Sequence, residues 1–258
     1  MSGSLARVRA EATGAMRTFL RRRTAVFFTF FFPVVLIVIF AGLVRTQGAG
    51  GGAGLFSEPT GYYLPAYLAT VVLFTPLSRV GSEVARHRED NRFEKLATTP
   101  LTRAEWLAAH ALVNVVLIVA ASVLLVVALL LTGANFELSP WLAFFVPISS
   151  VLFCGVGAML GSLAEGQDGA IAASNGIALP LLFLSETFVQ PALFPEWFRP
   201  LLDFSPLVYF SRGVRAATFP EATDTAGSAG VVATNAGVTL VLAVVAFAVG
   251  AALIPWTE

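Results

Sequence analysis

The sequence predicts an all-α polytopic membrane protein with six transmembrane helices and both termini in the cytoplasm, organised as one transmembrane domain over residues 1–258. Three observations carry this. The chain is 57% hydrophobic and only 12% charged, outside the usual range of water-soluble domains. It contains six charge-poor windows of about 20 residues, the length a hydrocarbon layer of about 30 Å requires at about 1.5 Å of rise per residue. Twelve of its sixteen Lys and Arg fall in two groups separated by two of those windows. Both groups therefore share one side of the membrane, and the positive-inside rule makes that side the cytoplasm.

The first basic group, Arg7, Arg9, Arg17, Arg21, Arg22 and Arg23, opens the chain. Within residues 1–23, Leu5, Val8, Ala12, Met16, Phe19 and Leu20 recur at three- and four-residue steps with most arginines on other faces. This fits an amphipathic helix on the inner membrane surface; a frayed basic tail that only sets topology is the alternative. The first window, 24–44, is longer than the ~7–15 apolar residues of a cleavable signal and reads as a retained span. The loop QGAGGGAG at 47–54 is too short and flexible for an external domain. The second window, 61–81, carries Arg79 in its last turn, which places that residue at the membrane surface.

The second basic group lies in RHREDNRFEKLATTPLTRAEW, residues 86–106, which holds nine of the thirty-two charged side chains. Acids and bases alternate through RHREDNRFEKL, as in a surface helix with internal ion pairs. Thr99 or Thr102 is placed to cap the next helix, with Pro100 inside a turn. The inner segment 82–106 is thus either a solvated connector or a handle for a soluble partner.

The third window, 107–131, puts His110 and Asn114 on one face with Ala121 and Ser122, a stripe that suits helix packing or a substrate path. In the fourth, 141–163, Gly157 and Gly161 form a GxxxG pair, the pattern of close helix contact, and Cys154 reads as a small buried hydrophobe. The fifth, 169–188, sets Asn175 and Glu186 about three turns apart with Pro180 between them in sequence. They are either one wall of a kinked conduit, or interhelical glue and a hydrated outer carboxylate. Residues 189–228 combine aromatics with five prolines, which forbids one long helix and suggests short helices dipping into the outer leaflet. The last window is 229–254.

Several chemistries are absent. A GxxxxGK[ST] loop needs a lysine after glycine, and the only lysine, Lys95, follows Glu94. His87 and His110 match no metal spacing, and there is no GxSxG or HExxH motif. No Asp, Glu, Lys or Arg falls near the centre of a proposed window, which weighs against an ion-coupled carrier or a membrane enzyme acting alone.

RHREDNRFEKLATTPLTRAEWLAAHAL resembles the segment after the second span of ABC-2 type permeases, where an R-E-x-G-T-x-E-x-L-x-x-T-P pattern forms the inner coupling region. Arg88, Glu89, Glu94, Leu96, Thr99 and Pro100 match it, while Asn91 and Arg92 stand where Gly-Thr is common. Residues 184–215 are similar to the family's stretch from the fifth span through a re-entrant outer region. Ser185, Pro191, Pro195, Trp197, Pro206 and Arg215 correspond, and Glu186 replaces a frequent glycine. The resemblance implies the membrane subunit of an ATP-driven exporter in the cell membrane, paired with a second permease copy or close homologue. A cytoplasmic ABC ATPase subunit would bind ATP and magnesium, and this chain would hold no cofactor and no nucleic acid. The matching residues 88–100 would couple to that ATPase, and Asn114, Asn175 and Glu186 are the candidate path residues. The abundance of phenylalanine leans toward a hydrophobic drug- or lipid-like cargo.

Overall fold

The computed structural model describes residues 2–48, 59–187, 194–220 and 228–256. In order they form α1 (Ser2–Arg21), α2 (Arg23–Gly48), a 3-10 turn (Thr60–Tyr63), α3 (Leu64–Glu89), α4 (Arg92–Ala97) and α5 (Arg103–Leu131). There follow α6 (Leu142–Leu163), α7 (Gln167–Phe183), α8 (Arg199–Leu202), α9 (Pro206–Thr218) and α10 (Ser228–Leu253). Among the described residues there is no strand. Four helical stretches are long and apolar enough to cross a membrane: Thr60–Glu89, Arg103–Leu131, Leu142–Leu163 and Ala229–Leu253. The pair Gly3–Arg21 and Arg23–Ile39, bent by 87°, is a fifth candidate if it counts as one broken span. At 17 residues, α7 reaches about 25 Å, short of a full hydrocarbon layer when straight. Residues 49–54 of the glycine loop, Pro191 and residues 221–227 of the outer segment lie outside the described residues.

The chain turns through 87° between α1 and α2. The amphipathic α1 lays Ala12 and Phe19, flanked by Val8, Ala15 and Met16, on Ala109, Val113 and Leu117 of α5. Two of the six apolar residues expected on that face, Leu5 and Leu20, instead point outward. Leu20 is one residue from Phe19 and so about 100° around the helix.

At the centre, α6 is packed between α3 and α10, and glycines let the backbones meet. A Cβ on Gly157 would stand 2.6 Å from the Leu77 carbonyl oxygen, and one on Gly161 would run into the Gly81 carbonyl. On the other side of α6, Gly155 faces Ala246 and Gly250 of α10 just as closely. The GxxxG pair is therefore the α3 contact, where dispersion between close backbones supplies the association that lipid does not drive. Outside this core, Leu112, Val116, Val119, Val123, Val127 and Leu130 of α5 form an exposed apolar stripe, and α10 carries a similar one. A surface of that kind is stable against acyl chains rather than water.

Contacts at the helix ends show that consecutive long helices run antiparallel. One end gathers the C-termini of α3, α6 and α10 with the N-termini of α5 and α7, since Arg88 reaches the end of α6 and Arg103 the end of α10. This charged end also holds α1 and α4. At the opposite end, Gly61 lies against the Asn135 backbone, and the Glu137 N–H donates to the Thr218 carbonyl at 2.8 Å. The short helices expected in the 189–228 segment are α8 and α9.

The second span differs from its predicted limits. α3 continues to Glu89 rather than ending near 81, so Arg79 and Glu83 lie within the helix. Neighbouring side chains meet both groups, Phe19 and Asn114 at Arg79 and Arg86 at Glu83.

Replacing Gly161 with Leu should force α3 and α6 apart and lower the Tm of the detergent-solubilised protein, a cost of about 1–3 kcal/mol for an overpacked site. Gly176→Leu is the matched control, because nothing lies within 4 Å of a Cβ there, and it should leave Tm unchanged.

Candidate coupling surface and cavity

The segment from Glu83 to Glu105 is a folded elbow. α3 ends at Glu89, the chain reverses at Asn91 in the left-handed region (φ 53°, ψ 34°), and α4 starts at once. Asparagine tolerates that conformation far better than most residues, so the bend survives without the glycine that is common there. The single surface helix expected from the charge pattern is thus two helices. Of its internal pairs, Arg92 reaches Asp90 at 2.9 Å, while Arg86 turns back to Glu83.

α4 has two faces. Arg92, Glu94 and Lys95 are exposed, as are Thr98, Thr99 and Pro100 beyond it. Phe93 points inward onto Trp106 and Trp256, with ring centroids 5.2 and 5.5 Å apart. Leu96 is partly buried beside it. The start of α5 is capped by Thr102 and not Thr99: the Thr102 hydroxyl accepts from the Glu105 N–H at 3.2 Å, and Glu105 accepts from the Thr102 N–H at 2.9 Å. Thr99 instead donates to the Leu96 carbonyl at 2.6 Å and closes the α4 C-terminus.

Three elbow residues bind other elements. Arg88 donates to the carbonyls of Ser162 and Ala164 at 2.6 and 2.7 Å, and Arg103 donates to the Ala252 carbonyl at 3.1 Å. These are the orphan acceptors that end α6 and α10, where a cation also meets the negative end of the helix dipole. Glu105 accepts from Ser4 at 2.5 Å and from Arg7 at 2.5 and 3.0 Å, fixing α1 to α5. The Glu89 carboxylate reaches Gly166, the residue that begins α7. Of the predicted coupling residues, then, Glu89, Glu94, Thr99 and Pro100 are exposed while Arg88 and Leu96 are structural contacts inside the elbow. The tie through Arg7, Ser4 and Glu105 was not foreseen. Only the T-x-x-E spacing of Thr102 and Glu105 hinted at it.

Beside the elbow, a cavity of about 540 Å³ opens between the α1–α2 bend, α3, α5 and α7. Arg22, Phe28, Phe74, Arg79, Glu83 and His110 are among its walls. The Arg79 guanidinium stacks on the Phe19 ring at 4.7 Å and meets the Asn114 Oδ1 at 3.5 Å. His110 Nε2 is 3.5 Å from a Glu11 oxygen.

The three predicted path residues separate. Asn175 lines the cavity. Asn114 is fully buried, donates to the His110 carbonyl at 2.9 Å and stands behind Arg79. Glu186 is at the opposite end, beyond the end of α7 at Phe183, so it is not in line with Asn175 on one helix. Pro180 near the end of α7 and the turn that follows redirect the chain. Glu186 has φ 55°, which accounts for a glycine fitting that position. Its carboxylate binds Arg212, which also meets Asp203 at 2.7 Å. The hydrogen bonds that Arg212 donates to the Glu186 carboxylate are the main cause holding its guanidinium above its ordinary pKa. Arg215 packs over the Tyr62 ring at 4.5 Å and donates to the Glu186 carbonyl at 2.5 Å.

Changing Glu105 to Ala should remove the α1 anchor and the carboxylate half of the capping box, while the Thr102 hydroxyl keeps its backbone N–H. Hydrogen exchange of α1 amides should rise while α6 amides stay protected.

A sequence model described as ABC-2 type transporter matches residues 8–219, which includes the α1 face, the elbow, the cavity walls and α9. No curated protein matches the chain. With the match covering most of its length and an all-helical membrane architecture around it, the chain belongs to the ABC-2 type transporter family of membrane proteins.

Proposed function

We propose that the chain is the permease subunit of an ATP-driven exporter in the cell membrane, working with a separate cytoplasmic ABC ATPase that binds ATP and magnesium. The observation that carries this reading is the build of the elbow. It presents Glu94, Lys95, Thr98, Thr99 and Pro100 to solvent while Arg88, Arg103 and Glu105 tie it to α6, α10 and α1. A solvated connector has no need of such ties. A force applied to α4 from outside is passed to three other elements through hydrogen bonds rather than absorbed by a loose loop.

In this reading the charged end is cytoplasmic, as the clustering of basic residues favours. α2 and α7 complete six spans, with α7 crossing together with the turn that follows it, and both termini lie inside. α1 rests along the inner surface, and α8 and α9 form the outer re-entrant region between residues 189 and 228. Two such permeases, identical or homologous, enclose the route. A hydrophobic drug- or lipid-like cargo fits the apolar deeper wall of the cavity. The family membership supports an ABC permease, and ATP chemistry on a partner chain is in keeping with a sequence that carries no phosphate-binding loop of its own.

Glu94→Lys should abolish or strongly reduce copurification of the ABC ATPase and the cargo-stimulated ATPase activity of the pair, with membrane insertion and Tm unchanged. Undiminished copurification and activity would remove α4 from the docking surface.

A further inference from the structure

The cavity beside the elbow changes character along its length. Its α3 wall runs from His87, Arg86 and Glu83 through Arg79 to Thr75 and Phe74, about 20 Å at the helical rise. The facing wall starts at Arg22 in the α1–α2 bend and continues to Ala25, Phe28 and Thr29. Both walls are therefore ionic toward the charged end and apolar deeper in.

The charges inside do not balance locally. Arg86 is paired with Glu83, Glu11 lies near His110, and Arg92 is paired with Asp90. Among the described residues, neither Arg22 nor Arg79 has a carboxylate within ion-pair distance. Phe19 and Asn114 hold the Arg79 guanidinium in place without neutralising it. A partly buried guanidinium whose nearest carboxylate, Glu83 one turn along α3, is itself paired with Arg86 remains costly, and a second cation facing the same space adds repulsion. A phosphate or carboxylate between the two would remove both costs, and the planar fork of arginine suits either anion. The cavity volume lies within the range of about 300–1,000 Å³ typical of small-molecule sites. A bare anion would leave the phenylalanine wall unused, and a neutral hydrocarbon would leave the arginines unmet.

We infer that this cavity binds an anionic amphiphile, its phosphate or carboxylate head between Arg22 and Arg79 and its hydrocarbon along Phe28 and Phe74. The inference names the chemical class of the cargo and in that respect rests on the exporter reading. Binding itself needs only this chain.

The test uses the purified full-length chain in a neutral detergent, with native mass spectrometry and thermal shift as readouts. The probes are dioleoyl phosphatidic acid, dioleoyl phosphatidylcholine and inorganic phosphate. Phosphatidic acid should bind and raise Tm, whereas phosphatidylcholine and inorganic phosphate at equal concentration should do neither. Arg79→Gln and Arg22→Gln should each weaken phosphatidic acid binding about tenfold or more, the scale of one lost charge-assisted hydrogen-bonded contact. Arg199→Gln, exposed at the opposite end, should not. If Arg79→Gln fails to fold, Arg22→Gln at the exposed bend decides. Equal binding of phosphatidylcholine would make the cavity a plain apolar groove, saturation by phosphate alone would make it a small-anion site, and unchanged binding in Arg22→Gln would place the lipid elsewhere. Each of these outcomes overturns the inference. Intact phosphatidic acid binding with no copurifying ATPase would instead count against the exporter reading and leave the site standing.

Discussion

A hydrocarbon layer cannot solvate a bare carbonyl or an isolated charge, and this chain is arranged around that constraint. Each long helix ends with acceptors that have no partner of their own. At the charged end, α6 and α10 have theirs met by Arg88 and Arg103, both supplied by the elbow between α3 and α5. The same side chains that complete the ends of the spans therefore hold the elbow rigid. Removing them would free the elbow and expose the helix ends together, so the proposed coupling role draws on the same contacts as the structural need.

The proposed coupling follows from those ties. The outer face of α4 is free for a partner, its inner face is held by Phe93 against Trp106 and Trp256, and Glu105 fastens α1 to the first turn of α5. Since α1 and the bend after it form one wall of the cavity, displacement of the elbow alters the cavity directly. Arg79 is the internal counterpart of this arrangement. It sits on α3, stacked on Phe19 of α1 and touching Asn114 of α5, so a relative shift of these three helices changes the setting of that charge. At the opposite end, Glu186, Arg212 and Arg215 connect the turn after α7 to α9 and to the start of α3. Both ends of the bundle are therefore closed by polar clasps around an apolar middle.

Features governed by local chemistry were readable in advance. The GxxxG pair of Gly157 and Gly161 announces a close helix contact, the T-x-x-E of Thr102 and Glu105 permits a capping box, and Asn91 stands where a left-handed turn is needed. The spans with strong apolar runs, 107–131 and 141–163, nearly coincide with α5 and α6. Features governed by tertiary contact were not. Arg79 within α3 meets Phe19 and Asn114, 60 and 35 positions away, and no window of hydropathy reports that. The spacing of Glu186 from Asn175 fits a shared helix face or an outer carboxylate equally well, and the turn after Phe183 with the contact to Arg212, remote in sequence, decides its place. The elbow was recognisable as charged, whereas its inward ties required the ends of α6 and α10 to be brought beside it by the fold.

The account depends most on which side of the membrane the elbow occupies. The one native cysteine, Cys154, is fully buried, so single cysteines introduced at Thr98 on the elbow and at Asp203 at the opposite end report sidedness with little background. An impermeant maleimide applied to intact cells should label the Asp203→Cys protein at once and the Thr98→Cys protein only after the membrane is opened. Labelling of Thr98→Cys in intact cells would put the elbow outside, beyond the reach of any cytoplasmic ATPase, and would contradict the account.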